Sequence, residues 1–128
     1  MVSIWFPGAW PTFNEYIAAE RGSSYSKRRF VPIGANMKRE WTAAAQMIAQ
    51  AAGVDAVHVP CGVKFVWHTK NAMKDPDGIA AFATKCILDG LQGAGVLPND
   101  GQRQIWRIVH EFVRDANEGV MVTLGGEG

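Results

Sequence analysis

Between Asp77 and Gly93 the residues Ile79, Phe82, Ala83, Cys86, Ile87 and Leu91 recur at three- and four-residue intervals, while Lys85 and Asp89 fall off that stripe. The spacing predicts an amphipathic helix entered through Asp75-Pro76 and closed near Gly93. A helix with one apolar face needs an apolar surface to lie on, and several alternating runs can supply it. Residues 2–6 (VSIWF) read as a strand ended by Pro7-Gly8. Residues 55–68 alternate around Pro60-Cys61-Gly62, which predicts one bulged strand or a strand entering a second, with Val63, Phe65 and Trp67 on one face. The runs QIWRIVHEFV and GVMVTLG are joined by a turn-prone segment from Arg114 to Glu118, and they predict a closing β-hairpin. Residues 36–52 place Met37, Trp41, Ala44, Ala45 and Ile48 on one helical face, stopped by Gly53. The expected fold is α+β: one domain over 1–128, a mixed β-sheet with two α-helices, in the order β-α-β-α-β-β. Residues 10–34, rich in Pro, Gly, Asn, Ser and basic side chains, read as a long binding loop.

With 128 residues, 48% of them hydrophobic and 20% charged, the chain can bury one core, so a disordered tail or a fibre is excluded. No apolar run is long enough to cross a bilayer, which predicts no membrane partner. The start, MVSIWFPGAWP, lacks the pattern of an export signal, and a cytoplasmic location is expected. Cys61 and Cys86 stand alone, without a CxxC pair or a histidine at ligand spacing, and are expected to be reduced core thiols. The formal charge of +1 hides an asymmetry. Residues 1–74 carry nine basic and four acidic side chains, and residues 75–128 carry four basic and eight acidic ones.

Asp75 and Asp77 flank Pro76 at the mouth of the second long helix, and Asp100 follows its far end. Three hard carboxylates suit Mg²⁺, which takes a few of them together with waters and phosphate oxygens. Capping is the competing explanation: an acid at a helix start satisfies free N–H groups and complements the dipole. Asn99-Asp100-Gly101 is likewise an ordinary turn signal. Spacing alone leaves both readings open.

The segment KDPDGIAAFATKCILDGLQGAGVLPNDGQ, from Lys74 to Gln102, resembles the signature of the RusA-like Holliday junction resolvases, small Mg²⁺-dependent endonucleases. The shared features are an acidic pair opening a helix (Asp75, Asp77), a lysine on that helix (Lys85), and an LDAL-like run (Leu88-Asp89-Gly90-Leu91). Ala94-Gly95 and an N-D turn (Asn99-Asp100) complete the block. FPGAWPTFNEY is similar to the family's opening strand, proline-rich turn and N-x-Y element, here Asn14 and Tyr16. The resemblance implies that Asp75, Asp77 and Asp100 bind Mg²⁺, with Mn²⁺ able to substitute, and that Lys85 supports catalysis. Lys85 lies eight residues after Asp77, as if four residues had been inserted, which moves it about one turn, about 6 Å, along the axis. Lys74 is the alternative basic group. Gly78 stands where the family often has Asn.

Six basic residues and no acid, among them Arg21, Lys27, Arg28, Arg29, Lys38 and Arg39, fall between Arg21 and Arg39. Hydroxyl and aromatic residues interleave with them, a mix suited to phosphate contact and base stacking. With Asn14, Tyr16, Lys70 and Lys74 they form the expected DNA-binding set, which Lys64 would extend. His68 is a candidate phosphate contact, and Trp10 a candidate wedge against an opened base. The implied function is resolution of four-way DNA by paired symmetric cuts in recombination and repair, in a bacterial or phage-infected cell. Each chain has one acid cluster, so a homodimer is expected. Two alternatives stand beside it: a branched-DNA-binding protein with weakened catalysis, and an interaction protein with an ordinary acid-capped helix.

Overall fold

The strand from Cys61 to Thr69 is the spine of the molecule, with Cys61, Val63, Phe65 and Trp67 all buried on one face. The computed structural model describes residues 1–22, 24–26, 29–31, 33–70 and 75–125, of which 24–26 and 29–31 as backbone only. In chain order the elements are β1 (Val2–Pro7), α1 (Phe13–Gly22), β2 (Ser24–Ser26), β3 (Arg29–Val31) and α2 (Ile33–Ala52). They continue with β4 (Cys61–Thr69), α3 (Pro76–Gly93), β5 (Ile105–Arg114) and β6 (Gly119–Gly125). The fold is α+β with a four-stranded mixed sheet in the order β1-β6-β4-β5. β6 runs antiparallel to both β1 and β4, whereas β5 runs parallel to β4. Parallel neighbours need a crossover, and α3 supplies it.

The stripe read on α3 is the inner face of that crossover: Ile79, Phe82, Ala83, Cys86, Ile87 and Leu91 are all buried. They pack on Phe65 and Val63 of β4, Val120, Val122 and Leu124 of β6, and Ile4 and Phe6 of β1, within one core cluster. The Val, Ile, Leu and Phe side chains among them contribute about 1.5–3 kcal/mol each when fully buried. α2 starts at Ile33, three residues earlier than its apolar pattern predicts, and lies against α3 through Ala45 and Ala49. Met37, Trp41 and Ile48 are partly buried against the same core. Gly53, at φ 63°, stops α2 as expected, because a residue without Cβ adopts that conformation freely. Both cysteines are free and buried.

Four expectations are corrected. The strand structure read over residues 55–68 begins only at Cys61, and residues 55–60 form no strand. The runs of β5 and β6 do not form a hairpin, because β4 lies between them. Both edges of β6 are instead hydrogen-bonded, to β1 on one side and to β4 on the other. Residues 115–118 instead pass over the end of β4, where the Asp115 N–H donates to the Thr69 carbonyl at 2.9 Å and His68 pairs with Asp115 at 3.0 Å. Residues 10–34 are not one long loop, since α1 and the β2–β3 hairpin occupy them. Trp10 is no exposed wedge: it is buried against Trp41 and Phe6, with ring centroids 4.8 Å and 6.0 Å away.

His110 of β5 faces the core side, stacked on Phe65 at 5.1 Å and accepting a 3.0 Å hydrogen bond at Nδ1 from the Trp67 indole. Burial lowers its pKa below the ordinary 6.5. Below pH 6.5 the unfolded chain therefore takes up a proton that the folded chain resists, and stability falls as the pH drops. Thermal unfolding at pH 7.5 and 5.5 is expected to show a larger loss for wild type than for His110→Gln, and equal losses would contradict this. No helix among the described residues is long and apolar enough to cross a membrane.

Candidate nucleic-acid interface on α3

Asp75 occupies the N-cap position of α3 with extended backbone (φ −70°, ψ 139°), and Pro76 follows as the first helical residue. Proline there has no N–H to satisfy and its fixed φ suits the helix start. The Asp75 side chain nevertheless makes no capping hydrogen bond. Its carbonyl accepts the first intrahelical bond from the Ile79 N–H at 3.0 Å, and its carboxylate is exposed. Asp77, also exposed, accepts from the Gly78 N–H at 3.0 Å through Oδ1. Capping by side chain, the competing reading of the pair, is thus absent at Asp75.

Asp77, Ala81 and Lys85 follow one another at intervals of four, forming an outer stripe on α3 opposite the buried one. Two turns separate Asp77 from Lys85, about 12 Å along the axis. Lys85 does not turn back toward the first acids. Its Nζ donates to Asp100 Oδ2 at 2.8 Å and pairs with Asp89 Oδ1 at 3.1 Å. Hydrogen bonds to Asp100 and then Asp89 hold the ammonium above its ordinary pKa. Asp100 is fixed from its own side as well, since its N–H donates to Asn99 Oδ1 at 2.8 Å.

Carboxylates are the right donors for Mg²⁺, yet the three acids are not gathered. Among the described residues no three His, Cys, Asp or Glu side chains converge closely enough to hold an ion. Asp75 and Asp77 fit the usual Mg²⁺ habit of one or two carboxylates completed by water and phosphate oxygens. Asp100 is engaged by Lys85.

Next to this stripe runs a groove between α1, α2 and α3. Phe13, Tyr16, Lys38, Phe82 and Lys85 line one part, and Tyr16, Lys38, Arg39 and Thr42 line the continuation. Tyr16 stacks on Phe82 at 4.5 Å and 20°, and Glu20, which accepts its hydroxyl hydrogen bond, raises its pKa. Arg39 donates to Asn36 Oδ1 at 2.7 Å. The fold therefore brings Tyr16, Lys38, Arg39 and Lys85 to one groove. Asn14 and Arg21 are exposed on α1, the helix that forms its wall. The sequence reading missed α1, although Thr12-Phe13-Asn14-Glu15 carries the signal of a capping box. Thr12 Oγ1 accepts from the Glu15 N–H and donates to Glu15 Oε1, both at 3.2 Å.

Other candidates lie elsewhere. Lys64 points to the sheet face away from the helices and pairs with Glu111 at 3.3 Å. Lys70, just past β4, lies 4.0 Å from Glu118. His68 is tied to Asp115 and stands edge-on to Trp5. Lys27, Arg28, Lys74 and the Arg29 side chain lie outside the described residues. No protein-family model matches the chain, and no curated protein is similar enough to count as a match.

Proposed function

We propose that this chain is a Mg²⁺-dependent endonuclease of branched DNA that resolves four-way junctions by paired symmetric cuts, acting as a homodimer in the cytoplasm. Its role would be in recombination and repair, as the resemblance to RusA-like resolvases implies. One observation carries the reading: the carboxylates of Asp75 and Asp77 are exposed at the mouth of α3 and Asp75 caps nothing, while a basic and aromatic groove borders the same helix. Asp75 and Asp77 would hold Mg²⁺ or Mn²⁺. When bound, such an ion would supply Lewis-acid chemistry, polarising a phosphate and lowering the pKa of a water. Lys38 and Arg39 supply positive charge for neighbouring phosphates, and Phe13 and Tyr16 offer faces for an unstacked base. Lys85 acts one step removed, holding Asp100 in place and neutralising it.

That last contact also favours a second reading, a branched-DNA-binding protein with weakened catalysis, because the third carboxylate is withheld. A synthetic four-way junction and a linear duplex of the same sequence separate the possibilities. Nicking of the junction in Mg²⁺ and Mn²⁺ but not in EDTA is expected. Cleavage in EDTA overturns the metal-dependent reading. Tight, salt-sensitive junction binding without nicking in either metal selects the second reading, and equal affinity for junction and duplex rejects both.

A further inference from the structure

β5 is an edge strand, bounded on one side by β4 and, among the described residues, by no strand on the other. Edge strands of soluble proteins are ordinarily short, charged or covered, because a bare apolar edge recruits other strands. β5 is ten residues long, and Trp106, Ile108, Phe112 and Val113 are 52%, 45%, 37% and 40% exposed. The opposite edge, β1, shows no comparable exposure: its Ile4 and Phe6 are buried and Pro7 ends it. The exposed apolar surface is thus concentrated where the sheet is open.

The sequence of β5 is complementary to itself in the antiparallel sense. Antiparallel strands related by a two-fold axis must be centred on a residue, since residues directly opposite each other share a face of the sheet and so differ by an even number of positions. Centred on Val109, Val109 meets its own copy and Ile108 meets His110. Arg107 then stands opposite Glu111, and Trp106 opposite Phe112, each twice. A shift of the centre to Ile108 or to His110 destroys both the charge pair and the aromatic pair. Arg107 forms no ion pair among the described residues, and Glu111 is 53% exposed in its contact with Lys64, so both are open to such a contact. Opposite-charge and aromatic cross-strand pairs each contribute favourably, and like charges directly opposite are unfavourable.

We propose that two copies of this chain associate through β5, antiparallel and in register about Val109, joining their sheets into one of eight strands. The pairing rests on β5 alone, and it stands whether or not the chain cuts DNA. It also places the two copies of α3 by a two-fold axis through β5.

Oxidative cross-linking tests the register. A self-paired residue has Cα atoms about 4.5–5.5 Å apart, within disulfide reach, so Val109→Cys is expected to give a linked dimer on a non-reducing gel. Val113→Cys, whose copies would lie about 27 Å apart, is expected to stay unlinked. The native thiols are buried and serve as background. Charge exchange tests the pairing independently. Arg107→Glu and Glu111→Arg are each expected to weaken the dimer about tenfold in sedimentation equilibrium. Mixing the two variants restores an attractive pair at both positions, so a heterodimer of near wild-type affinity is expected, with circular dichroism confirming folded chains. Monomeric wild type at all concentrations overturns the proposal. So does linkage at Val113 as fast as at Val109, or a mixture no tighter than its components. A monomer that still nicks junctions removes only this interface, and a β5 dimer without nicking removes only the nuclease reading.

Discussion

Replacing Asp77 by Asn is expected to lower Mg²⁺-dependent nicking of a four-way junction by more than about a hundredfold, while junction binding in Ca²⁺ changes less than about twofold. Loss of a partner in the outer shell of a metal site commonly costs 10–100-fold, and loss of a direct ligand costs more. Asn keeps the size of the side chain and an oxygen to accept from the Gly78 N–H, so the local turn survives. The substitution also removes one negative charge beside the DNA path, so binding without catalysis is expected to hold or tighten slightly. Asp75→Asn is expected to behave alike. Asp75→Ala distinguishes chemistry from capping. An N-cap acid that bonds the helix start costs about 1 kcal/mol when truncated to alanine, but Asp75 makes no such bond. Its removal is expected to leave stability within about 0.5 kcal/mol in urea unfolding while nicking is lost. Normal nicking with a clear loss of stability would return Asp75 to the role of a cap.

The parts of the fold that were legible in the sequence are those whose burial enforces a strict period. α3 was legible because six of its side chains must all reach one core, and a single polar residue on that stripe would be costly. β4 was legible at Val63, Phe65 and Trp67 for the same reason. What was not legible is order in space. β5 and β6 are adjacent in sequence and joined by turn-forming residues, yet nothing local reveals that β4 inserts between them. α1 escaped a reading by period because it buries no residue, although its capping box was written in plain residues. Among the candidate site residues, the place of Asp75 and Asp77 at the mouth of α3 was legible, but the partner of Lys85 was not. A lysine on an exposed stripe reaches a phosphate or a carboxylate equally well, and only the return of the chain after α3 brings Asp100 to 2.8 Å from it. The exposure of β5 was hidden too, since an alternating strand reads alike at the centre of a sheet and at its edge.

Gly90→Ala is expected to destabilise the protein by about 1–3 kcal/mol, and the reason lies in how closely α3 approaches α2. A Cβ at Gly90 would stand 2.5 Å from Ala45 Cβ, 2.7 Å from the Gln46 nitrogen and 2.9 Å from the Ala45 carbonyl carbon. Two of those three atoms are backbone and cannot rotate aside, so the helices must separate. In an exposed helix interior the same exchange gains up to about 1 kcal/mol from helix propensity, which is smaller than the steric cost here. Gly78→Ala provides the control, because nothing lies within 4 Å of a Cβ at that position on the same helix. It is expected to be neutral or stabilising. In thermal unfolding the Gly90 variant should lose roughly 3–10 °C while the Gly78 variant does not fall. Ala45→Gly added to Gly90→Ala removes the side-chain clash but not the backbone ones, so it should recover only part of the loss. RusA-like resolvases carry alanine in the LDAL position that Gly90 fills, and from the resemblance alone Gly90→Ala would be a harmless reversion. Full stability of Gly90→Ala would therefore mean that α2 and α3 pack less closely than their backbones indicate. A clear loss would show that the pairing of Gly90 with Ala45 is a local solution of this chain, in which a small residue on each helix sets the distance at which α2 supports α3.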